Sequence, residues 1–348
     1  MTKITIIGSS GYTGSELLRI LFKHREIEEI VPTSRTYCGK PVSSLHKNLK
    51  NIYSEIFTNP EIKEIDSDVV FTCTPNGRAM EVVPGLLERG IKVVDMSADF
   101  RVERETYEQV YKIKHSCPDL LEKAVYGLPE LFRDKIKNSS LVANPGCYVT
   151  AAVLGIAPLL DEKFKGKFDL NKIVVDAKSG TSGAGAGLSE FLHFSEVCGN
   201  LKPYKTTDHR HRPEIESALK RFSCTGLKVS FTPTLMPIVR GILNNIHVFV
   251  NEENDSENFE KEKLIEIYEK FYGDESFVRL VDVPYVKNVV NTNYCDIGVD
   301  FDLHSGKVLV MSAIDNLIKG ASGQAVQNMN LMCGFREKEG LEMVAGHP

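Results

Sequence analysis

The sequence predicts an α/β chain in two parts, a doubly wound parallel sheet followed by an α+β domain. Strand and helix patterns alternate through roughly the first 146 residues, the grammar of parallel strands joined by crossover helices. A glycine turn, Gly8-x-x-Gly11-x-x-Gly14, stands directly between the first strand pattern and the first helix pattern. After about residue 147 the strands lengthen and no crossover helix separates them all, as in a mixed or antiparallel sheet.

In order, Lys3–Ile7 is a short β-branched run, the glycine turn follows, and Gly14–His24 has helical apolar spacing. Glu28–Thr33 reads as a second strand ending at Ser34-Arg35. Asp68–Thr72 is a continuous apolar run, as expected of a strand buried on both faces. It leads through Thr74-Pro75-Asn76-Gly77 into a helix over Ala79–Arg89 and then the strand Lys92–Asp95. Ala124–Tyr126 and Leu141–Ala143 complete this sheet. The second part opens with a helix over Tyr148–Leu160, then strands at Lys172–Ala177, Lys228–Thr232, Gly241–Asn251 and Asn293–Leu303. Asn251–Lys261 is polar and acidic and reads as an exposed connection before the helix Lys261–Tyr272. Lys307–Ala313 is a last strand, and Leu317–Cys333 a long helix rich in small residues.

Composition narrows the chemistry. At 348 residues with 42% hydrophobic and 26% charged side chains, the chain is ordinary for a globular protein. Its net charge of −5 points to no polyanionic partner, so nucleic acid is not expected. No stretch has the length or apolarity of an export signal or membrane span. None of the eight cysteines forms a C-x-x-C pair, so no metal site is expected. A reduced, cytoplasmic protein is the expectation.

Glycines between strand and helix let the backbone turn tightly and approach a pyrophosphate at the helix N-terminus. Gly8, Ser10, Gly11, Tyr12, Thr13 and Gly14 are therefore candidate dinucleotide-binding residues, with Pro75 from the loop after the third strand. The second strand ends Thr33-Ser34-Arg35-Thr36, with hydroxyls and a cation but no carboxylate. An acidic residue there would bind the NAD ribose, whereas Arg accommodates a 2′-phosphate; Ser34 and Arg35 thus favour NADP(H).

Cys147, in Asn144-Pro145-Gly146-Cys147-Tyr148, falls where a helix pattern begins. A thiol there has a lowered pKa, and nearby N–H groups can hold a developing oxyanion. His209-Arg210-His211-Arg212-Pro213-Glu214 supplies a base. Pro213 suits a helix start, which places His211 near the cap and Glu214 one turn on. A carboxylate near an imidazole fixes its tautomer, so His211 is preferred over His209, both remaining candidates. Arg101, in Ser97-Ala98-Asp99-Phe100-Arg101, and Arg240, before a strand, point to a phosphorylated, anionic substrate. The glycine-rich run from Ser179 through Gly180, Ser182 and Gly183 to Gly187 suits a mobile active-site loop touching nicotinamide or substrate.

Taken together, GSSGYTGSELLR, SADFR, YGLPE, NPGCY, SGTSGAGAG, HRHRPEI and NLIKGASGQAVQNMN, in this order from residue 8 to about 330, carry a family resemblance. The chain resembles the N-acetyl-γ-glutamyl-phosphate reductases, the arginine-pathway branch of the aspartate-semialdehyde dehydrogenase superfamily. That resemblance implies a Rossmann-type NADP-binding domain over 1–146, completed by the C-terminal helix within 315–348. It implies an α+β catalytic and oligomerisation domain over 147–314, and a homodimer or homotetramer. Asn316 and Gly320 would approach the cofactor, and Asn144, Arg101 and Arg240 the substrate. Two positions depart from the family's pattern, Val149 where Pro often follows NPGCY and Thr234 where F-x-P-H-L has His.

The reaction so implied is reduction of an acyl phosphate by NADPH through a thioester on Cys147. Arg101 would bind the phosphoryl group, Arg240 the carboxylate, and His211 would assist proton transfer. The nearest rival is the same chemistry on a carrier-linked aminoadipyl phosphate in lysine biosynthesis. A cysteine hydrolase would also use Cys and His, but leaves the glycine turn and Arg35 without a role. A dinucleotide-binding sensor leaves Cys147 beside two basic motifs unexplained.

Overall fold

A computed structural model describes residues 2–223, 226–251 and 260–346. Cys224 and residues 252–259, most of the acidic stretch before Lys261, lie outside the described residues. The chain forms two compact units, Met1–Pro145 with Ala321–Met343, and Gly146–Gly320.

The first unit holds a six-stranded, wholly parallel sheet: β1 (Thr2–Ile7), β2 (Ile27–Pro32), β3 (Val69–Thr72), β4 (Lys92–Asp95), β5 (Val125–Tyr126) and β6 (Leu141–Ala143). Their spatial order is β2-β1-β3-β4-β6-β5. Every residue of β3 and β6 is buried, which is why their sequences run apolar without alternation. The helices α1 (Tyr12–Leu21), α2 (Ala79–Glu88), α3 (Arg104–Tyr111) and α4 (Pro129–Lys137) follow in chain order. Val83 and Leu86 of α2 bury with Val70, Val93, Phe100 and Tyr107 in one apolar cluster.

In the second unit, α5 (Cys147–Ile156) is buried along its whole length apart from Cys147 itself. The expected helix to Leu160 changes to a 3₁₀ turn over Ala157–Leu160. Pro158 has no N–H to give the Leu154 carbonyl; Tyr272 Oη donates to that carbonyl instead, at 2.5 Å, and Tyr268 Oη to Gly155 O at 2.7 Å. Around α5 runs a seven-stranded mixed sheet: β7 (Ile173–Ser179), β8 (Lys202–Pro203), β9 (Val229–Leu235), β10 (Ile242–Phe249), β11 (Val278–Leu280), β12 (Cys295–Asp302) and β13 (Lys307–Ile314). Its order is β11-β12-β13-β10-β7-β9-β8. β7 and β10 alternate strictly between buried and half-buried residues, one face being turned to the core. The helices α6 (His211–Ser223) and α7 (Lys261–Tyr272) belong to this unit.

The terminal helix differs from expectation. Leu317–Cys333 is not one helix: a π-helical turn over Ile318–Ser322 precedes α8 (Gly323–Cys333). Gly320 N donates to Asp315 O at 2.9 Å, the wide spacing that defines the turn. α8 lies in the first unit, buried from Gly323 to Met332 despite its Gln and Asn residues. Their amides are used inside: Gln324 and Asn328 donate to Gly127 O at 3.1 and 2.8 Å, and Asn330 Oδ1 accepts from His24 Nε2 at 2.8 Å. Among the described residues no helix is long and apolar enough to cross a membrane.

Candidate active site

The glycine turn sits at the rim of a cleft of about 430 Å³ in the first unit, lined by Gly8, Ser10, Gly11, Ser34, Arg35 and Pro75. Thr74, Arg78, Asn59 and Pro60 also line it, none of which the sequence singled out. Three glycines serve three purposes. Gly8 has φ +84°, and a Cβ would stand 2.5 Å from Cys73 O. At Gly14 a Cβ would stand 2.4 Å from Ser9 Cα, so strand turn and helix pack backbone to backbone. Gly11, the residue before α1, has an ordinary φ of −84°, and a Cβ there would meet no atom within 4 Å. Nothing in the protein itself requires glycine at that point. The space a Cβ would fill suits a pyrophosphate at the helix start.

Tyr12 and Thr13 form the first turn of α1 but do not line the cleft; Tyr12 is exposed, and Thr13 O accepts from Ser322 Oγ at 2.9 Å. Ser34 is buried and Arg35 exposed at the rim. The one carboxylate among the described lining residues, Glu81, is paired with Arg78 at 2.7 Å. The cleft thus offers cations and hydroxyls where a 2′-phosphate would lie. A dinucleotide phosphate fits these residues.

The SADFR segment shapes the same unit. Asp99 is fully buried and accepts from Gly77 N at 2.7 Å, Ala79 N at 3.1 Å and Tyr107 Oη at 2.7 Å. It therefore holds the Thr74–Arg78 loop and caps α2, a role the motif alone did not reveal. Arg101 is buried, with Nη2 donating to Met96 O at 2.7 Å. Asn144 is also buried; its Nδ2 donates to Ala321 O at 3.1 Å and its Oδ1 accepts from Asn328 Nδ2 at 3.1 Å. That amide is engaged within the first unit.

In the second unit Cys147 is the first residue of α5, half-buried, with Gly146 as the cap. Helical bonding begins with Thr150 N to Gly146 O at 3.0 Å, so the amides of Cys147, Tyr148 and Val149 are the first-turn donors. Gly146 N donates to Glu214 Oε1 at 2.8 Å. Glu214, 1% exposed, sits in the first turn of α6, which starts at His211 itself rather than at Pro213. Its carboxylate reaches the backbone beside the nucleophile, a contact across 68 residues that sequence spacing cannot show.

Both histidines are buried in this corner. The Tyr148 ring stands 5.8 Å from His209 and 5.9 Å from His211. His209 is further enclosed by Tyr204 at 5.6 Å and Phe231 at 5.1 Å. Burial first, and the Arg210 and Lys205 charges second, push His209 down to about 3. Its Nδ1 accepts from His211 N at 3.2 Å. Neutral and bonded to the start of α6, His209 props its neighbour.

The other expected residues gather behind this corner. A Cβ on Gly320 would lie 2.7 Å from Cys147 Cβ and 3.1 Å from its Cα, so the π-helical turn packs directly under the nucleophile. Asn316 Nδ2 donates to Ser182 Oγ at 2.9 Å, and its Oδ1 accepts from Gly241 N at 2.7 Å. The start of the glycine-rich run is held by backbone bonds: Gly180 N, Thr181 N and Ser182 N donate to Gly241 O, Ile238 O and Val239 O at 2.9, 2.9 and 3.0 Å, while 183–187 are exposed. At Gly180 a Cβ would come 2.6 Å from Val239 O. Arg240 Nη1 meets Asp315 Oδ2 at 3.2 Å and Asn291 Oδ1 at 2.9 Å. Val149 is buried in α5, and Thr234 stands in β9 opposite Pro203.

Residues 3–139 match the family model described as semialdehyde dehydrogenase, NAD binding domain. Residues 147–316 match the one described as semialdehyde dehydrogenase, dimerisation domain. The N-acetyl-γ-glutamyl-phosphate reductase of Methanocaldococcus jannaschii is 49% identical over 355 residues, with 100% of each chain covered. That of Methanopyrus kandleri is 49% identical over 356 residues, again with 100% of each covered. The chain belongs to the N-acetyl-γ-glutamyl-phosphate reductases of the semialdehyde dehydrogenase family. Aspartate semialdehyde dehydrogenase II from Vibrio cholerae, solved with ASA, shares the fold with a TM-score of 0.71. At 17% identity over 96% of this chain and 98% of that one, it speaks for the fold alone. Among the described cysteines, burial pushes Cys73 and Cys333 up and Cys117 up to about 11, whereas Cys147 begins a buried helix whose cap is held by Glu214 and whose next residue, Tyr148, faces the His209 and His211 rings.

Proposed function

We infer that this chain reduces N-acetyl-γ-glutamyl phosphate to N-acetylglutamate 5-semialdehyde with NADPH, releasing phosphate, as a step of arginine biosynthesis. The observation that carries the reading is the Cys147 corner: a thiol opening α5, its cap tied to Glu214, with the His209 and His211 rings against the next residue, Tyr148. The relatives named above act, by their names, on the same acyl phosphate, and the carrier-linked aminoadipyl reading is not favoured.

Cys147 attacks the acyl carbon as thiolate, His211 taking the thiol proton, and the C–O bond to phosphate breaks to leave a thioester. The first-turn amides of Cys147, Tyr148 and Val149 hold the carbonyl oxygen as it gains negative charge. The Gly8–Gly11 turn, Ser34, Arg35 and Pro75 would hold NADPH, which would supply the hydride. The C–S bond then breaks, the aldehyde leaves, and His211 balances the proton. Arg101 and Arg240 are assigned to the phosphoryl group and the carboxylate by their chemistry. His209 and Glu214 position His211 and the helix start. Ser179, Gly180, Ser182, Gly183, Asn316 and Gly320 are assigned to the cofactor side, with Gly320 lying against Cys147. The description of residues 147–316 as a dimerisation domain supports a homodimer or a homotetramer built from such dimers.

The deciding experiment runs the reaction backwards with N-acetylglutamate semialdehyde, phosphate and NADP. Phosphate-dependent formation of NADPH is the expected result, and its absence at any enzyme concentration overturns the reading.

A further inference from the structure

We propose that Asp315 is the positioning residue that aims Arg240 at the substrate's carboxylate while anchoring the floor of the nucleophile. The inference rests on the reading of Arg240 as the carboxylate clamp. A fully buried carboxylate persists only when it is paired and hydrogen-bonded, and Asp315, 0% exposed at the end of β13, is both.

Its two oxygens face different tasks. Oδ1 accepts from Leu317 N at 2.7 Å and Ile318 N at 3.3 Å, capping the π-helical turn that carries Gly320 under Cys147. Oδ2 accepts from Asn291 N at 2.6 Å and Arg240 Nη1 at 3.2 Å. Asn291 is held in the left-handed region, φ 65°, and its own Oδ1 takes Nη1 at 2.9 Å. With two acceptors on one nitrogen, the plane of the guanidinium fork is set. The backbone behind it is set as well. Gly241 has φ +110°, a Cβ there would strike Val286 Cγ1 at 2.1 Å, and its N–H goes to Asn316 Oδ1. Arg240 is thus fixed at head and base while remaining 19% exposed, where a bridge serving the core alone would be sealed.

Asp315→Asn separates the two tasks. The turn amides demand an acceptor, so the oxygen stays at the Oδ1 position and the NH₂ faces Arg240 and Asn291 N, where it repels both. A charged hydrogen bond of this kind is worth about 10- to 100-fold in binding. The expected result is a KM for N-acetylglutamate semialdehyde raised by that factor, with kcat changed far less. The wild-type preference for this aldehyde over its α-carboxamide counterpart should fall by the same factor. Asn291→Gly keeps the left-handed backbone and the N–H to Asp315 but removes one acceptor from Nη1; it should show the same split, more weakly.

Arg240→Gln distinguishes the levels of failure. If that variant keeps the carboxylate preference, the clamp reading itself falls. If it loses the preference while Asp315→Asn and Asn291→Gly both keep it, the positioning inference falls alone. Should Asp315→Asn fail to give a cooperative melt, an unchanged KM and preference in Asn291→Gly overturns the inference.

Discussion

Cys147 and the two histidines owe their division of labour to burial. His209 is pushed down to about 3 chiefly by burial, so it is neutral at physiological pH and its Nδ1 is an acceptor for His211 N. A residue in that state cannot shuttle protons near neutrality, which leaves that role to His211 in the mechanism proposed. His211→Asn should therefore lower kcat by about 10²- to 10⁴-fold. His209→Asn, whose Oδ1 can replace the Nδ1 acceptor, should cost much less. The same depressed group has a stability signature. Its folded-state value lies below the unfolded value of about 6.5, so the unfolded chain binds the extra proton between the two. Stability is complete above about 6.5 and is lost as pH falls toward about 3. Melting curves across that window should flatten in His209→Asn; an unchanged slope would show that His209 is not the group responsible. Cys147→Ser should abolish turnover while leaving NADPH binding intact, and full activity in that variant would end the thioester mechanism. At this scale the sequence showed residue types and local spacing, which single out Cys147 and the two histidines as candidates. It could not show that Glu214 turns to Gly146 N, because that contact spans 68 residues and depends on how α5 and α6 pack.

Among the elements, the glycine turn makes the sharpest test because its glycines are needed for different physical reasons. Gly8→Ala must place a side chain at φ +84° with its Cβ 2.5 Å from a backbone oxygen, and no side-chain movement relieves that. It should lower the melting temperature markedly. Gly11→Ala meets ordinary φ and open space, so its melting temperature should match the parent or exceed it slightly. Its KM for NADPH should nonetheless rise, since the methyl occupies space suited to a phosphate. Equal loss of stability in both variants, with no cofactor effect at Gly11, would reduce the motif to a structural turn. The same contrast explains which elements were legible. β3 and β6 announce themselves as apolar runs because both faces are buried. β8 and β11, of two and three residues, carry no period to read and exist through pairing with β9 and β12. The π-helical turn at Ile318–Ser322 was invisible for another reason: the buried Asp315 carboxylate decides it, not local propensity.

For the whole chain, cofactor choice and folding meet in one measurable quantity. The first unit is assembled from two stretches, up to Pro145 and from Ala321 to Met343, so ligand bound in its cleft stabilises a discontinuous fold. That the terminal helix returns to this unit was implied by family resemblance, since a helix buried all round, with four Gln and Asn among its buried residues, has no one-sided pattern to read. A ligand that binds only the folded state at about 100 times its Kd adds about 2.7 kcal/mol. NADPH should deliver that, and NADH at the same concentration much less, because the rim of the cleft offers Arg35 where an NAD-specific site offers a carboxylate. Removing a charged hydrogen bond to the 2′-phosphate in Arg35→Ala should weaken NADPH binding about 10- to 100-fold. At the same concentration the stabilisation then drops to between about 0.4 and 1.4 kcal/mol. NADH stabilisation should be unchanged, as that ligand has no phosphate for Arg35 to hold. Thermal melts of parent and variant with each nucleotide test both halves at once. A fall of the same size for NADPH and NADH would mean that Arg35 supports the cleft rather than reading the phosphate, and the preference for NADPH would then have to arise at other residues of the lining, such as the Ser34 and Thr36 hydroxyls or Arg78.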